Sequence, residues 1–139
     1  MTTVLTILEC SILLILGIIH FNWAAGGKFG MEGAVPTTEK GESVLNPGAK
    51  DSLIVGLGLT VFALYFAVSG GLISVKLPVW VAKYGGWVIS IIFLLRAMGD
   101  FNYVGFFKKK RNTKFHKMDT KLYIPLCLTL GLIGLYLTW

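Results

Sequence analysis

The stretch that decides the fold is Thr3–Ala24, TVLTILECSILLILGIIHFNWA, which carries one carboxylate, Glu9, one imidazole, His20, and no lysine or arginine. A helix that crosses a bilayer needs about 20 mostly apolar residues, because the hydrocarbon is roughly 30 Å thick and each residue rises about 1.5 Å. Three further runs meet that requirement: Ser52 to about Val75, Val79 to about Met98, and Leu122 to Trp139. In lipid every backbone amide has to be paired within its own segment, which makes such runs helices. They are too long for the ten-residue alternating strands of an outer-membrane barrel. The sequence therefore predicts an all-α four-helix transmembrane bundle, a single domain over 1–139, with a long first loop and a basic loop between helices three and four.

Composition agrees. Of the 139 residues, 55% are hydrophobic and 14% charged, and the mean hydropathy is +0.72. A soluble domain carries about a quarter of its residues charged, so an ordinary soluble domain is excluded. Two cysteines exclude a disulfide-dense scaffold. The first run lacks the basic residues that precede the apolar core of a signal peptide, and it reads as a retained span.

The connections differ in character. Val75-Lys76-Leu77-Pro78 is expected to be a tight turn, with Pro78 opening the third helix. Ala25 to Asp51 is long, Gly-rich and interrupted by Pro36 and Asn46-Pro47-Gly48, with Asp51 or Ser52 capping the second helix. At this length it can fold over the mouth of the bundle as a lid. Gly99 to Lys121 holds Lys108, Lys109, Lys110, Arg111, Lys114, Lys117 and Lys121. Lys and Arg collect on the cytoplasmic side of membrane proteins. The net charge of +6 thus reads as a topology signal in a cell (inner) membrane, with the basic loop cytoplasmic and both termini outside. Lys108, Lys109, Lys110 and Arg111 would touch anionic lipid headgroups, at about 1 kcal/mol of attraction each. Nothing in the sequence supplies a fold or stacking platform for nucleic acid. Aromatic residues mark both edges: Phe21, Trp23, Tyr103 and Tyr123 inside, Trp80, Tyr84, Trp87 and Trp139 outside.

Gly56, Ala63, Ala67 and Gly71 are seven, four and four residues apart and share a face of the second helix. Small residues let membrane helices approach closely, and the seam is expected inside the bundle rather than in a homodimer interface. Gly131 and Gly134 do similar work in the fourth helix. With Asp119 as N-cap of that helix, Pro125 would leave the carbonyl of Lys121 unpaired and bend the first turns.

Three blocks stand out: His20-Phe-Asn22-Trp23-Ala-Ala-Gly26-Gly27, Arg96-Ala-Met-Gly99-Asp100-Phe-Asn102-Tyr103-Val-Gly105, and Thr113-Lys-Phe115-His-Lys-Met-Asp119-Thr120-Lys-Leu-Tyr123-Ile-Pro125-Leu-Cys127. With these blocks the chain resembles, over nearly its whole length, a bacterial family of small four-helix membrane proteins catalogued only as a domain of unknown function. The resemblance implies the fold and brings no activity, cofactor or catalytic residue.

An ionisable residue within a span costs roughly 3 kcal/mol at the bilayer centre and is a functional candidate by default. The proposed folding brings His20, Asn22, Trp23, Arg96, Asp100, Asp119 and Tyr123 to the inner ends of the helices. Arg offers a planar fork for phosphate or carboxylate. The group reads either as a cytosol-facing site for a lipid headgroup or small anion, or as a structural clasp in which Arg96 pairs with Asp100 or Asp119. Glu9 lies about 9 Å into the first helix, at a depth similar to Lys83 in the third. Pairing with Lys83 or snorkelling is the expectation for it. The alternative is a dimeric proton-coupled transporter using Glu9, and a further alternative is a membrane isomerase. Cys10 and Cys127 read as small buried residues. His20 and His116 are the only histidines and His116 lies in the basic loop, too few ligands for a haem, and no metal motif, phosphate loop or nucleophile elbow is present. The sequence thus points to no cofactor and leans away from an enzyme.

Overall fold

A computed structural model describes residues 1–27, 48–98 and 122–139. They form α1 (Thr2–Ala24), α2 (Ala49–Ser69), α3 (Val79–Met98) and α4 (Ile124–Thr138), with no strand among the described residues. The first three are long and apolar enough to cross a membrane, and α4 is shorter at 15 residues. Large apolar side chains point outward on every helix. Ile18 is 64% exposed, Ile54 66% and Leu132 58%. Apolar surface on this scale faces lipid or a partner rather than water, and these helices fit a membrane protein.

Glycines stop α1 and α2 by the same device. After α1 the N–H of Gly27 donates to the Asn22 carbonyl at 2.8 Å and that of Gly26 to Trp23 at 3.1 Å. After α2 the N–H of Leu72 donates to Ala67 at 2.8 Å and that of Gly71 to Val68 at 3.1 Å. Both are Schellman stops, whose left-handed residue is Gly26 (φ 93°) in one and Gly71 (φ 78°) in the other. The second helix accordingly ends at Ser69, not near Val75. Leu72, Ile73 and Val75 are apolar enough to continue a span, but the chain has already turned at Gly70-Gly71. Residues 70–78 form the connection, longer than the tight turn expected. Gly71 belongs to that turn and not to the small-residue face.

One further expectation is corrected at a helix start. Gly48 is the N-cap of α2, and Asp51 acts from the third helical position, its carboxylate accepting the Gly48 N–H at 3.0 Å. Pro125 sits in the first turn of α4, after a wider turn at Leu122-Tyr123. The Asp119 cap and the Lys121 carbonyl, on which the expected bend depends, lie outside the described residues. Pro78 precedes α3 as expected, its carbonyl accepting the Ala82 N–H at 2.9 Å.

The helices pack as two antiparallel pairs, α1 on α2 and α3 on α4, which meet more sparsely through α1 with α4 and α2 with α3. Gly17 and Gly56 bring α1 and α2 together: a Cβ on Gly17 would stand 3.4 Å from the Gly56 carbonyl, and one on Gly56 only 2.8 Å from the Phe21 ring. Gly56, Ala63 and Ala67 are buried, so this seam lies within the chain. In the other pair Gly131 packs on Leu94 and Gly134 on Ser90. The pairs are joined by Tyr65, whose hydroxyl donates to the Ala82 carbonyl at 3.2 Å. Phe62 adds an edge-on contact to Phe93 at 6.3 Å, and Phe66 reaches Gly134. Leu13, Phe66, Ala97 and Leu130 lie at the centre of the core.

Candidate functional site

The antiparallel register defines two ends. At one, Thr6 meets Gly70, Tyr65 meets Ala82, and Gly86 meets Thr138. Trp87 and Trp139 pair there with ring centroids 6.0 Å apart. At the other end lie the last turns of α1 and α3 and the first turns of α2 and α4. This second end holds His20, Asn22, Trp23, Arg96 and Tyr123.

His20 is half-buried, and its Nδ1 donates to the Leu16 carbonyl at 2.7 Å. That bond fixes the neutral ring as the Nδ1–H tautomer and leaves Nε2 as the acceptor. Trp23 lies one turn on, its ring tilted against the imidazole at 4.8 Å. Arg96 is half-buried in the last turn of α3, where a cation suits the helix dipole. Tyr123 is half-buried at the entry to α4, and Asn22 is exposed. Beside them an open depression of about 400 Å³ is lined by Phe21, Ala24, Ala25, Ala49, Lys50 and Leu53. Asp100, Tyr103, Asp119, the cluster Lys108 to Arg111 and the proposed lid lie outside the described residues.

Glu9 presents different chemistry. Its side chain is fully buried, at 0% exposure, and neither Oε1 nor Oε2 has a hydrogen-bond partner. The expectation of pairing or snorkelling is overturned. Lys83 is exposed on α3, with Nζ 5.2 Å from the centre of the Tyr84 ring. Glu9 belongs to the face of α1 that carries Thr6, Leu13 and Gly17, all buried, and this face turns into the bundle. A carboxyl there cannot reach the headgroups.

Hydroxyls in the same interior are handled otherwise. Thr6 donates to Thr2 at 2.9 Å, Thr60 to Gly56 at 2.9 Å, Ser90 to Gly86 at 2.7 Å and Thr138 to Gly134 at 2.7 Å. Each bond runs back one turn of its own helix, where a carbonyl has a spare lone pair. The Cys10 thiol donates to the Ala63 carbonyl at 3.3 Å, and Cys10 and Cys127 are buried and unlinked, as expected. Among the described residues no group of His, Cys, Asp and Glu is arranged to hold a metal.

A family model described as protein of unknown function (DUF3995) matches residues 13–134. The chain belongs to this family. The DUF3995 match runs from the middle of α1 into the last turns of α4 and includes His20, Arg96 and Tyr123; Glu9 precedes it. No curated protein and no solved structure matches the chain. Sequence reasoning missed the Tyr65 tie between the helical pairs and the Phe21–Lys50 depression. Buried tyrosines usually find a hydrogen-bond partner, but the sequence does not say which carbonyl.

Proposed function

We propose that the chain is a multi-pass protein of the cell (inner) membrane, with both termini outside and the His20 end cytoplasmic. That end holds the headgroup of an anionic lipid or a small anion. The observation that supports this reading is the antiparallel register, which gathers the ends of all four helices with His20, Trp23, Arg96 and Tyr123 on them. Lys50 stands in the first turn of α2 at the same end. An Arg fork donates to two phosphate or carboxylate oxygens at once. Lys108, Lys109, Lys110 and Arg111 follow the third helix in sequence and add charge toward an anionic leaflet. With Gly56, Ala63 and Ala67 occupied inside the chain, a homodimer would be built on another face.

Native mass spectrometry of the protein taken from its own membranes tests this. The wild type is expected to retain an anionic lipid or small anion, and Arg96→Ala to lose it while remaining folded, with Arg96→Lys keeping part of it. An Arg96→Ala protein that stays folded with the same retained ligands sinks the reading. Unfolding of Arg96→Ala and Arg96→Lys alike would make Arg96 a clasp.

A second reading, proton-coupled transport of a small molecule, is favoured by the burial of the Glu9 carboxyl.

A further inference from the structure

Among the described residues, the interior of the bundle contains one acid, Glu9, that its own helix does not serve. Thr6 at its end packs on Gly70, and Cys10 bonds to the Ala63 carbonyl. Glu9 lies between these two levels of α1, at the height of the α2 stretch from Ala63 to Gly70. Phe66 of that stretch is 1% exposed and reaches Gly134 of α4 beside Ser90. The interior beside that stretch holds the Phe66 ring and the Gly134 backbone. The buried hydroxyls of Thr6 and Ser90 each donate to a carbonyl of their own helix.

A carboxylate buried with no partner is far costlier than a neutral carboxylic acid in the same place. The oxygen supply separates a proton from a metal ion. A hard cation takes six or more oxygen ligands. Here Glu9 offers two carboxyl oxygens, and among the described residues no second acidic ligand is arranged with it, whereas a proton needs one oxygen. The titratable groups on the surrounding elements do not substitute. Cys10 faces Ala63, Tyr65 donates to Ala82, and Lys83 lies exposed over Tyr84. The described part of α4 offers Cys127, which is buried, and Tyr136, which is exposed.

We propose that Glu9 is a proton-binding site inside the bundle, occupied in the closed arrangement of the two helical pairs. It releases its proton only when those pairs part along the sparsely packed α1–α4 contact and admit water to the carboxyl. The proposal is independent of anion binding at the His20 end. It deepens the transport reading without requiring it, since the proton is bound whether or not a second solute moves.

Infrared difference spectroscopy of the protein in lipid tests it. The wild type should show the C=O stretch of a protonated carboxylic acid at neutral pH, absent from Glu9→Gln and unchanged by sodium chloride. Labelling with dicyclohexylcarbodiimide, which attacks carboxylic acids in apolar sites, should modify the peptide that contains Glu9 and fall as pH rises. This peptide map needs no variant, so a Glu9→Gln protein that fails to fold leaves the test intact. Absence of both the protonated stretch and the label overturns the proposal. Loss of the stretch on adding sodium at constant pH overturns it in favour of a metal cation. Failure of pH-driven uptake in liposomes, with the stretch present, removes transport and leaves the proton site standing.

Discussion

Ser90 in the α3–α4 pair and Glu9 in the α1–α2 pair are both completely buried, yet the two pairs treat a polar atom in opposite ways. Around Ser90 the packing is closed. Its hydroxyl is bonded to Gly86, and Gly134 lies against it so closely that no side chain fits between. Around Glu9 the burial is equally complete, but both carboxyl oxygens go unserved. A helix can satisfy a hydroxyl at i−4 at almost no cost, whereas a carboxyl projects beyond its own turn. The comparison teaches that apolar surroundings alone do not mark a functional group; what marks Glu9 is that nothing local satisfies it.

The contrast can be broken or sharpened by substitution, with unfolding in detergent followed by circular dichroism. Gly134→Leu should have the largest effect. Its side chain would enter the space of Ser90 and the Phe66 ring, costing about 3 kcal/mol, the upper range for an overpacked core. Glu9→Leu should act with the opposite sign, raising stability by about 1–3 kcal/mol by removing an unsatisfied buried group. A marked loss of stability in Glu9→Leu would mean that the carboxyl has a partner after all. Ser90→Ala should be smallest, within about 0.5 kcal/mol, since donor and acceptor belong to one helix turn and the carbonyl keeps its helical bond.

Much of this was legible in the residues and some was not, for physical reasons. Apolar runs located the helices, because the length of a span is a property of the bilayer. Gly56, Ala63 and Ala67 marked the close face because small size is what close approach requires. The end of α2 was misread because Leu72, Ile73 and Val75 are apolar, and hydropathy is blind to a turn made by Gly70-Gly71. Depth along the axis was also readable for Glu9, but its direction around the axis was not. On a helix that is apolar on all sides, no polar face shows which way is in. Only the packing of the helices shows that Glu9 turns inward. At the His20 end the sequence named the residues that share an end; which atoms converge there depends on side-chain placement that spacing does not encode.

The pairing of α1 with α2 and of α3 with α4 also bears on how the chain is made. Each close interface joins helices that follow one another in synthesis, so the first hairpin can close before the second has been translated. Only one late event remains, the docking of two preformed hairpins, and it depends on the Tyr65–Ala82 bond, the Phe62–Phe93 contact and the seat of Phe66 on Gly134. A defect there would leave two intact halves in the same membrane, unassembled.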